Sequence, residues 1–184
     1  MIIEEKTLSS ERIYEGAILN LRRDTVTVKE GRTSYREIVE HNGGVIILGV
    51  TKDGRIPMIK QYRKAAEQVM FELPAGKLEK GEDPAEAALR EFKEETGYTA
   101  ERIRRIASFF PTVGYSEEVL HIFFAEGLSE GETDFDDNES IDIELHDPEE
   151  LFRQIDAGEM NDGKTMLALL LYRTGATSME ICIK

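Results

Sequence analysis

Apolar and polar positions follow patterns along this chain that predict several strands. Asp24–Lys29 alternates polar and apolar residues, as in a strand with one buried face, and Ser34–His41 returns after a turn as a second strand. Val45–Val50 is almost continuously apolar, which is typical of a strand buried on both faces. The Asp-Gly pair at residues 53–54 predicts a hairpin whose second strand is Ile56–Tyr62.

Helix signals occur between these strands and further ones. The segment Pro84–Thr96 follows a candidate N-cap, Asp83, and is stopped by Gly97. A second cap-plus-proline start lies at residues 147–150, and Lys164–Arg173 predicts a last helix. Further strand patterns occur at 103–110, 118–125 and 141–145.

Strands with helices between them predict an α/β layered domain. We expect residues 1–40 to form a small N-terminal β subdomain and residues 41–184 to form the main domain. The chain is long enough to bury a substantial core.

Composition narrows the range of partners. The chain has 37 acidic and 23 basic residues, a formal charge of −14, so nucleic acid and membranes are poor partners. Its one cysteine, Cys182, excludes an intrachain disulfide, and residues 1–6 lack a leader pattern, so we expect a cytoplasmic protein. If the substrate is an anion, bound cations must help to hold it.

Carboxylates gather along one side of the predicted helix. At about 100° per residue, the arc expected to face the core contains Ala85, Ala88, Leu89, Phe92 and Thr96. Glu91, Glu94 and Glu95 share the neighbouring arc. Arg90 is spaced to relieve Glu94, but we expect no cationic neighbour on the helix for the other two. The cluster is either a solvated acidic face or a site for Mg²⁺, which prefers oxygen ligands.

The spacing of a wider set of residues decides between these interpretations. The pattern G-x5-E-x7-R-E-U-x-E-E-x-G-U, with U a bulky apolar residue, is matched by Gly76, Glu82, Arg90, Glu91, Glu94, Glu95 and Gly97. This segment resembles the Nudix box. Phe92 and Tyr98 fill the U positions, where Ile, Leu or Val is usual, and that difference concerns packing rather than metal chemistry.

The resemblance implies an α/β/α sandwich with a mixed sheet and a pyrophosphohydrolase that uses Mg²⁺, with Mn²⁺ as the alternative ion. Glu91 and Glu95 would be the main metal ligands, Glu94 would assist both binding and catalysis, and Ala75 would add its backbone carbonyl. The remaining box residues would brace the loop–helix–loop, and they are Gly76, Glu82, Arg90 and Gly97.

From about Ile13 to Leu171 the chain resembles the ADP-ribose pyrophosphatase branch of this family. The matching segments are Arg36-Glu37, Gln61-Tyr62-Arg63, Glu72–Gly76 and Phe110–Glu118. The resemblance implies substrate-binding roles for Arg36, Glu37, Arg63, Glu72, Pro111 and Gly114. Taken singly, these could also be surface cations and turn residues. Ala17 stands where relatives can place an aromatic residue that stacks on adenine.

The acidic segment Asp134–Ser140 resembles the catalytic loop of the same branch. A carboxylate bound to Mg²⁺ is a poor proton acceptor, so a separate general base is expected. Glu139 is the first candidate, because its longer side chain can reach the attacking water, and Asp137 is the reserve.

The function implied is hydrolysis of a small nucleoside diphosphate substrate, ADP-ribose, to AMP and ribose 5-phosphate. The alternatives are a GDP-sugar, a damaged nucleoside triphosphate, or a catalytically silent module that senses a nucleotide. An intact set of box carboxylates argues against the silent module. The branch also exchanges its N-terminal region between subunits, which implies a homodimer.

Overall fold

A computed structural model describes residues 2–135 and 140–178. Contacts divide the chain into two compact units. The small unit extends to Gly43 and takes in Phe110–Val119, and the large unit contains Gly44–Phe109 and the residues from Leu120 onward. The division into domains at residue 40 stays a prediction, since the segment 110–119 belongs to the small unit by its contacts.

The small unit is an antiparallel three-stranded sheet in the order β1-β2-β3. Its strands are β1 (Thr7–Glu15), β2 (Asn20–Thr27) and β3 (Thr33–Glu40). A 3₁₀ turn, Lys29–Gly31, joins β2 to β3 and corresponds to the turn that the sequence predicts. In segment 110–119, Tyr115 accepts a hydrogen bond of 2.7 Å from the backbone N–H of Val39 in β3.

Among its described residues, the large unit contains two sheets and three α-helices. In chain order its elements are β4 (Gly44–Gly49), β5 (Ile56–Arg63), β6 (Gln68–Glu72), β7 (Ala75–Lys77), α1 (Pro84–Thr96), β8 (Thr99–Phe109), β9 (Leu120–Ser129), β10 (Ile141–His146), α2 (Pro148–Asp156) and α3 (Gly163–Arg173). One sheet has the order β7-β4-β9-β8 and the other β10-β5-β6. Because β4 and β9 are parallel and the other pairs antiparallel, the four-stranded sheet is mixed.

Helices cover both faces of this mixed sheet. One face packs against α1 in a cluster that includes Val45 and Phe92. The other face packs against α2 and α3 in a cluster that includes Ile46, Leu151 and Leu169. The alternation of Val45 and Ile46 between the two clusters follows from the two-residue period of a strand. The predicted α/β/α sandwich with a mixed sheet is therefore confirmed.

The pairing predicted for the first hairpin is wrong. The Asp-Gly turn forms, with Thr51 N–H donating to Arg55 O at 2.9 Å and Gly54 at a φ of 84°. Within the described residues, however, β4 pairs with β7 and β9, and β5 pairs with β6 and β10. Since both edges of β4 are already occupied, the chain leaves this sheet at the turn and β5 joins the other one.

Helix α1 begins and ends where the sequence predicts. Asp83 accepts hydrogen bonds from the N–H groups of the first turn, and Gly97 ends the helix in the left-handed conformation at a φ of 74°. One core assignment is corrected: Leu89 is 41% exposed, whereas Ala87 is fully buried. The helix is rotated so that Ala87 and Phe92 face the sheet and Leu89 lies outside the contact.

None of the helices among the described residues is long and apolar enough to cross a membrane.

Candidate active site

The box begins on β7, directly beneath α1. A Cβ atom at Gly76 would lie 1.8 Å from Cδ of Glu91, closer than any two such atoms can approach. Only glycine therefore lets the Glu91 side chain lie against the backbone of β7. The spacing between Gly76 and Glu91 in the sequence thus corresponds to a direct packing contact.

A second carboxylate of α1 also reaches β7. Glu95 is only 3% exposed, and its Oε2 accepts the backbone N–H of Ala75 at 2.8 Å. Glu91 and Glu95 lie one helical turn apart on the same side of α1. The structure therefore brings four of the predicted site residues together, Ala75 and Gly76 on the strand and Glu91 and Glu95 on the helix.

Arg90 connects three of the box glutamates. Its Nε and Nη2 donate to Glu82 at 3.1 and 3.3 Å, and its Nη1 donates to Glu91 and to Glu94, both at 3.0 Å. The hydrogen bond to Glu82 is the largest cause of the raised pKa of Arg90 and of the lowered pKa of Glu82. The Arg90–Glu82 pair ties the loop before α1 to the helix.

This geometry corrects one expectation from the sequence. Glu91 does have a cationic neighbour on the helix, because a guanidinium carries several N–H donors in a fixed fork and can serve more than one carboxylate. The four-residue spacing correctly predicts the contact of Arg90 with Glu94. It does not predict the contact with Glu91, which is adjacent to Arg90 in the sequence.

The donor chemistry of this cluster fits a hard divalent cation. Carboxylate oxygens and a backbone carbonyl are the ligands that Mg²⁺ takes in proteins, and the missing side chain of Gly76 leaves room for the Glu91 carboxylate. Across residues 2–135 and 140–178, no three His, Cys, Asp or Glu side chains are grouped as a metal site. Arg90 and the Ala75 N–H hold three of the carboxylates instead.

A second polar cluster lies where β6 ends. Glu72 is 1% exposed, and its carboxylate accepts Nε and Nη2 of Arg63, each at 2.9 Å, and also Nζ of Lys164. Burial alone raises the pKa of Glu72, but the Arg63 hydrogen bond and Lys164 outweigh it, and the pKa falls below its ordinary value. Glu72 is therefore held as a carboxylate by two cations.

Lys164 is a residue of this cluster that the sequence alone does not reveal. The family resemblance implies substrate binding for Glu72 and Arg63, whereas the helix pattern places Lys164 only at the start of a predicted helix. The available signal was Asp162-Gly163, a cap before that helix, since Asp162 accepts the backbone N–H of Thr165 and fixes the first turn. The pairing of Lys164 with a residue 92 positions away is set by the tertiary fold.

The remaining predicted substrate-binding residues belong to the small unit. Arg36 and Glu37 are on β3 of the small unit, and Arg36 donates to Glu5 through Nε at 2.8 Å. Pro111 and Gly114 are exposed in the segment of the same unit that follows β8. The two candidate bases, which are Asp137 and Glu139, lie outside the described residues.

Comparison with known proteins identifies the class. Residues 40–169 match the family model described as the NUDIX domain, and residues 5–39 match the one described as the nucleoside diphosphate sugar hydrolase N-terminal domain. The chain belongs to the Nudix family.

Three known proteins are similar to this chain over most of its length. The chain is 41% identical over 169 residues to the ADP-ribose pyrophosphatase of Bacillus subtilis, with 91% of each chain covered. It is 41% identical over 170 residues to the methanol dehydrogenase activator of Bacillus methanolicus, with 91% of this chain and 92% of the relative covered. A crystal structure described as an ADP compounds hydrolase shares the fold, with a TM-score of 0.83, 19% identity and 97% of each chain covered.

Proposed function

We propose that this protein is a divalent-metal-dependent pyrophosphohydrolase that converts ADP-ribose and water to AMP and ribose 5-phosphate. The observation on which this rests is the complete Nudix box, with Glu91 and Glu95 both placed against the Ala75-Gly76 strand. The choice of ADP-ribose rests on the likeness to a relative of that activity over nine-tenths of the chain.

Residues of α1 and β7 would hold the metal ion. Glu91 and Glu95 are the proposed main ligands, with Glu94 and the Ala75 carbonyl assisting. When bound, Mg²⁺, or Mn²⁺ in its place, neutralises phosphate charge and makes phosphorus more open to attack. The site is otherwise rich in carboxylates, so this neutralisation lets a strongly acidic chain bind an anion.

Protein groups would orient the substrate and move the proton. The Arg63 guanidinium, fixed by Glu72, suits an oxygen of the diphosphate. Glu139 would accept the proton of the water that attacks phosphorus as the phosphorus–oxygen bond of the leaving group breaks. For the small unit, substrate-binding roles for Arg36, Glu37, Pro111 and Gly114 are proposed from the family resemblance alone.

A panel of substrates tests the activity. We expect purified protein with Mg²⁺ to convert ADP-ribose to AMP and ribose 5-phosphate, resolved by ion-exchange chromatography, faster than it acts on a GDP-sugar or an oxidised nucleoside triphosphate. Excess EDTA should stop the reaction. Preference for the GDP-sugar would move the assignment to that substrate, and tight ADP-ribose binding without turnover would instead support a sensing module.

We also propose a homodimer. Every residue of β1 is exposed in the single chain, including Leu8, Ile13 and Tyr14, and Tyr35 on β3 is 66% exposed. Apolar side chains concentrated on a small sheet are typical of a surface that another chain covers. Multi-angle light scattering at micromolar concentration should therefore give about twice the 20.9 kDa of one chain. A mass of one chain over the same concentration range would contradict the proposal.

A further inference from the structure

Two residues in the first turn of α3, Lys164 and Thr165, hold Glu72 and Leu73 at the end of β6. Lys164 Nζ contacts the Glu72 carboxylate and lies 2.9 Å from Asp162 Oδ1, and Thr165 Oγ accepts the backbone N–H of Leu73 at 2.9 Å. Both the side chain of Glu72 and the backbone that follows it are therefore fixed by one helical turn.

The same loop is held at its other end by different elements. The carbonyl of Pro74 accepts Ile47 N–H from β4 at 2.9 Å, and Ala75 N–H donates to Glu95 of α1 at 2.8 Å. The loop 72–75 thus joins the proposed metal-binding strand to the Arg63–Glu72 pair. A displacement of Glu72 would also move Arg63, because two hydrogen bonds join their side chains.

Glu72 and Arg63 differ in how many charged partners they have in this cluster. The Glu72 carboxylate has two cationic partners, whereas Arg63 uses only Nε and Nη2 on Glu72, and its Nη1 makes no hydrogen bond to any described residue. The Arg63 side chain is 39% exposed, against 19% for Lys164 and 1% for Glu72. Arg63 is therefore the cation of this cluster that can donate outward.

Arg63 also interacts electrostatically with the helix that carries the box glutamates. The hydrogen bond with Glu72 is the largest cause of the raised pKa of Arg63, and the charge of Glu95 on α1 adds to it. The guanidinium therefore lies within electrostatic reach of the helix that carries the proposed metal ligands. The loop 72–75 links the two sites, since Glu72 holds Arg63 and Ala75 N–H donates to Glu95.

Lys164 is only partly neutralised by its other partner, Asp162. Asp162 Oδ2 caps α3 by accepting Thr165 N–H at 3.0 Å, so the positive end of the helix offsets part of the Asp162 charge. Lys164 can therefore withdraw negative charge from Glu72. Without Lys164, the whole charge of the buried Glu72 would act on Arg63 and weaken its attraction for a phosphate.

We propose that Lys164 is a positioning residue for substrate binding: by sharing the Glu72 carboxylate, it keeps Arg63 oriented and positively charged toward the diphosphate. This inference rests on the proposed function, since it assigns Arg63 to the diphosphate of the substrate. It also assigns Glu72 to Arg63 and Lys164 rather than to direct contact with substrate.

Steady-state kinetics with ADP-ribose and Mg²⁺ test the role. Lys164→Met should raise KM about tenfold, the effect of weakening one charge-assisted contact, and change kcat less than about threefold. Lys164→Arg keeps the cation and should restore most of the KM. Lys60→Met is the matched control, because Lys60 forms an exposed ion pair with Glu144 and points to the opposite face of β5 from Arg63.

A double-mutant cycle distinguishes charge sharing from general destabilisation. In a Glu72→Gln background the carboxylate is gone, so adding Lys164→Met should raise KM by less than about twofold. An undiminished tenfold effect in that background would overturn the proposal, as would an unchanged KM in Lys164→Met or a loss confined to kcat. If Lys164→Met does not fold, as judged by thermal melting, Lys164→Gln takes its place in the cycle.

If the wild type shows no turnover, calorimetric titration of ADP-ribose in the presence of Mg²⁺ separates this inference from the proposed function. Wild-type protein that binds ADP-ribose but does not hydrolyse it would contradict the activity alone, and the Kd of Lys164→Met would then decide the role of Lys164. An unchanged Kd would overturn that role, and a Kd raised about tenfold would support it. Wild-type protein that neither binds nor hydrolyses ADP-ribose would overturn both.

Discussion

Glu95→Gln and Glu91→Gln are each expected to lower kcat by about 10²-fold or more, because loss of a metal-binding carboxylate removes several kcal/mol of charge stabilisation. The fold should survive. A glutamine at 95 can still accept the Ala75 N–H through its amide oxygen, and a glutamine at 91 still fits over Gly76. Steady-state turnover of ADP-ribose with Mg²⁺, together with thermal melting, measures both effects.

Glu86→Gln is the matched control for these variants. Glu86 lies on the same helix and loses the same charge, but it is exposed in the first turn of α1, away from β7. Its turnover should remain close to that of the wild type. Normal turnover in Glu91→Gln and Glu95→Gln, or full wild-type activity in excess EDTA, would contradict the proposed metal site.

Glu139→Gln should lower kcat by about 10²–10⁴-fold, the usual contribution of a general base, with little change in substrate affinity. The physical reason is that carboxylates committed to a cation lose basicity, so the box glutamates are poor acceptors for the proton of the attacking water. The measurement is kcat and KM for ADP-ribose over a range of pH. In the wild type, kcat should fall at acid pH as the base becomes protonated, and the variant should no longer show this fall.

Asp137→Asn is the comparison for this experiment. Asp137 belongs to the same acidic segment and has the shorter side chain, so its variant should keep most of the turnover. The opposite pattern, with near-normal turnover in Glu139→Gln and a large loss in Asp137→Asn, would transfer the role of base to Asp137.

Local signals were sufficient for α1 and for the box. Asp83 and Gly97 act within one helical turn of themselves, so their effect on the bounds of the helix does not depend on the rest of the fold. The contact of Gly76 with Glu91 was likewise encoded in a fixed spacing, although its cause, the absence of a Cβ atom, became evident only from the structure.

Long-range contacts could not be derived in the same way. The Asp-Gly turn was correctly identified, but which strand pairs with β4 depends on how both its edges are filled by β7 and β9. The exposure of Leu89 depends on how α1 is rotated against the sheet, a choice that helical periodicity narrows to an arc but does not fix. The contact between Lys164 and Glu72 could not be predicted either, because only the folded chain brings the two residues together.

The hydrogen bond from Leu73 N–H to Thr165 Oγ, which spans 92 residues, has a consequence for the order in which the protein matures. During synthesis the box is complete many residues before α3 emerges from the ribosome. Closing such a separated contact costs chain entropy and comes late in folding. The contact between α3 and the loop 72–75 should therefore form late, and full activity is expected only after α3 docks.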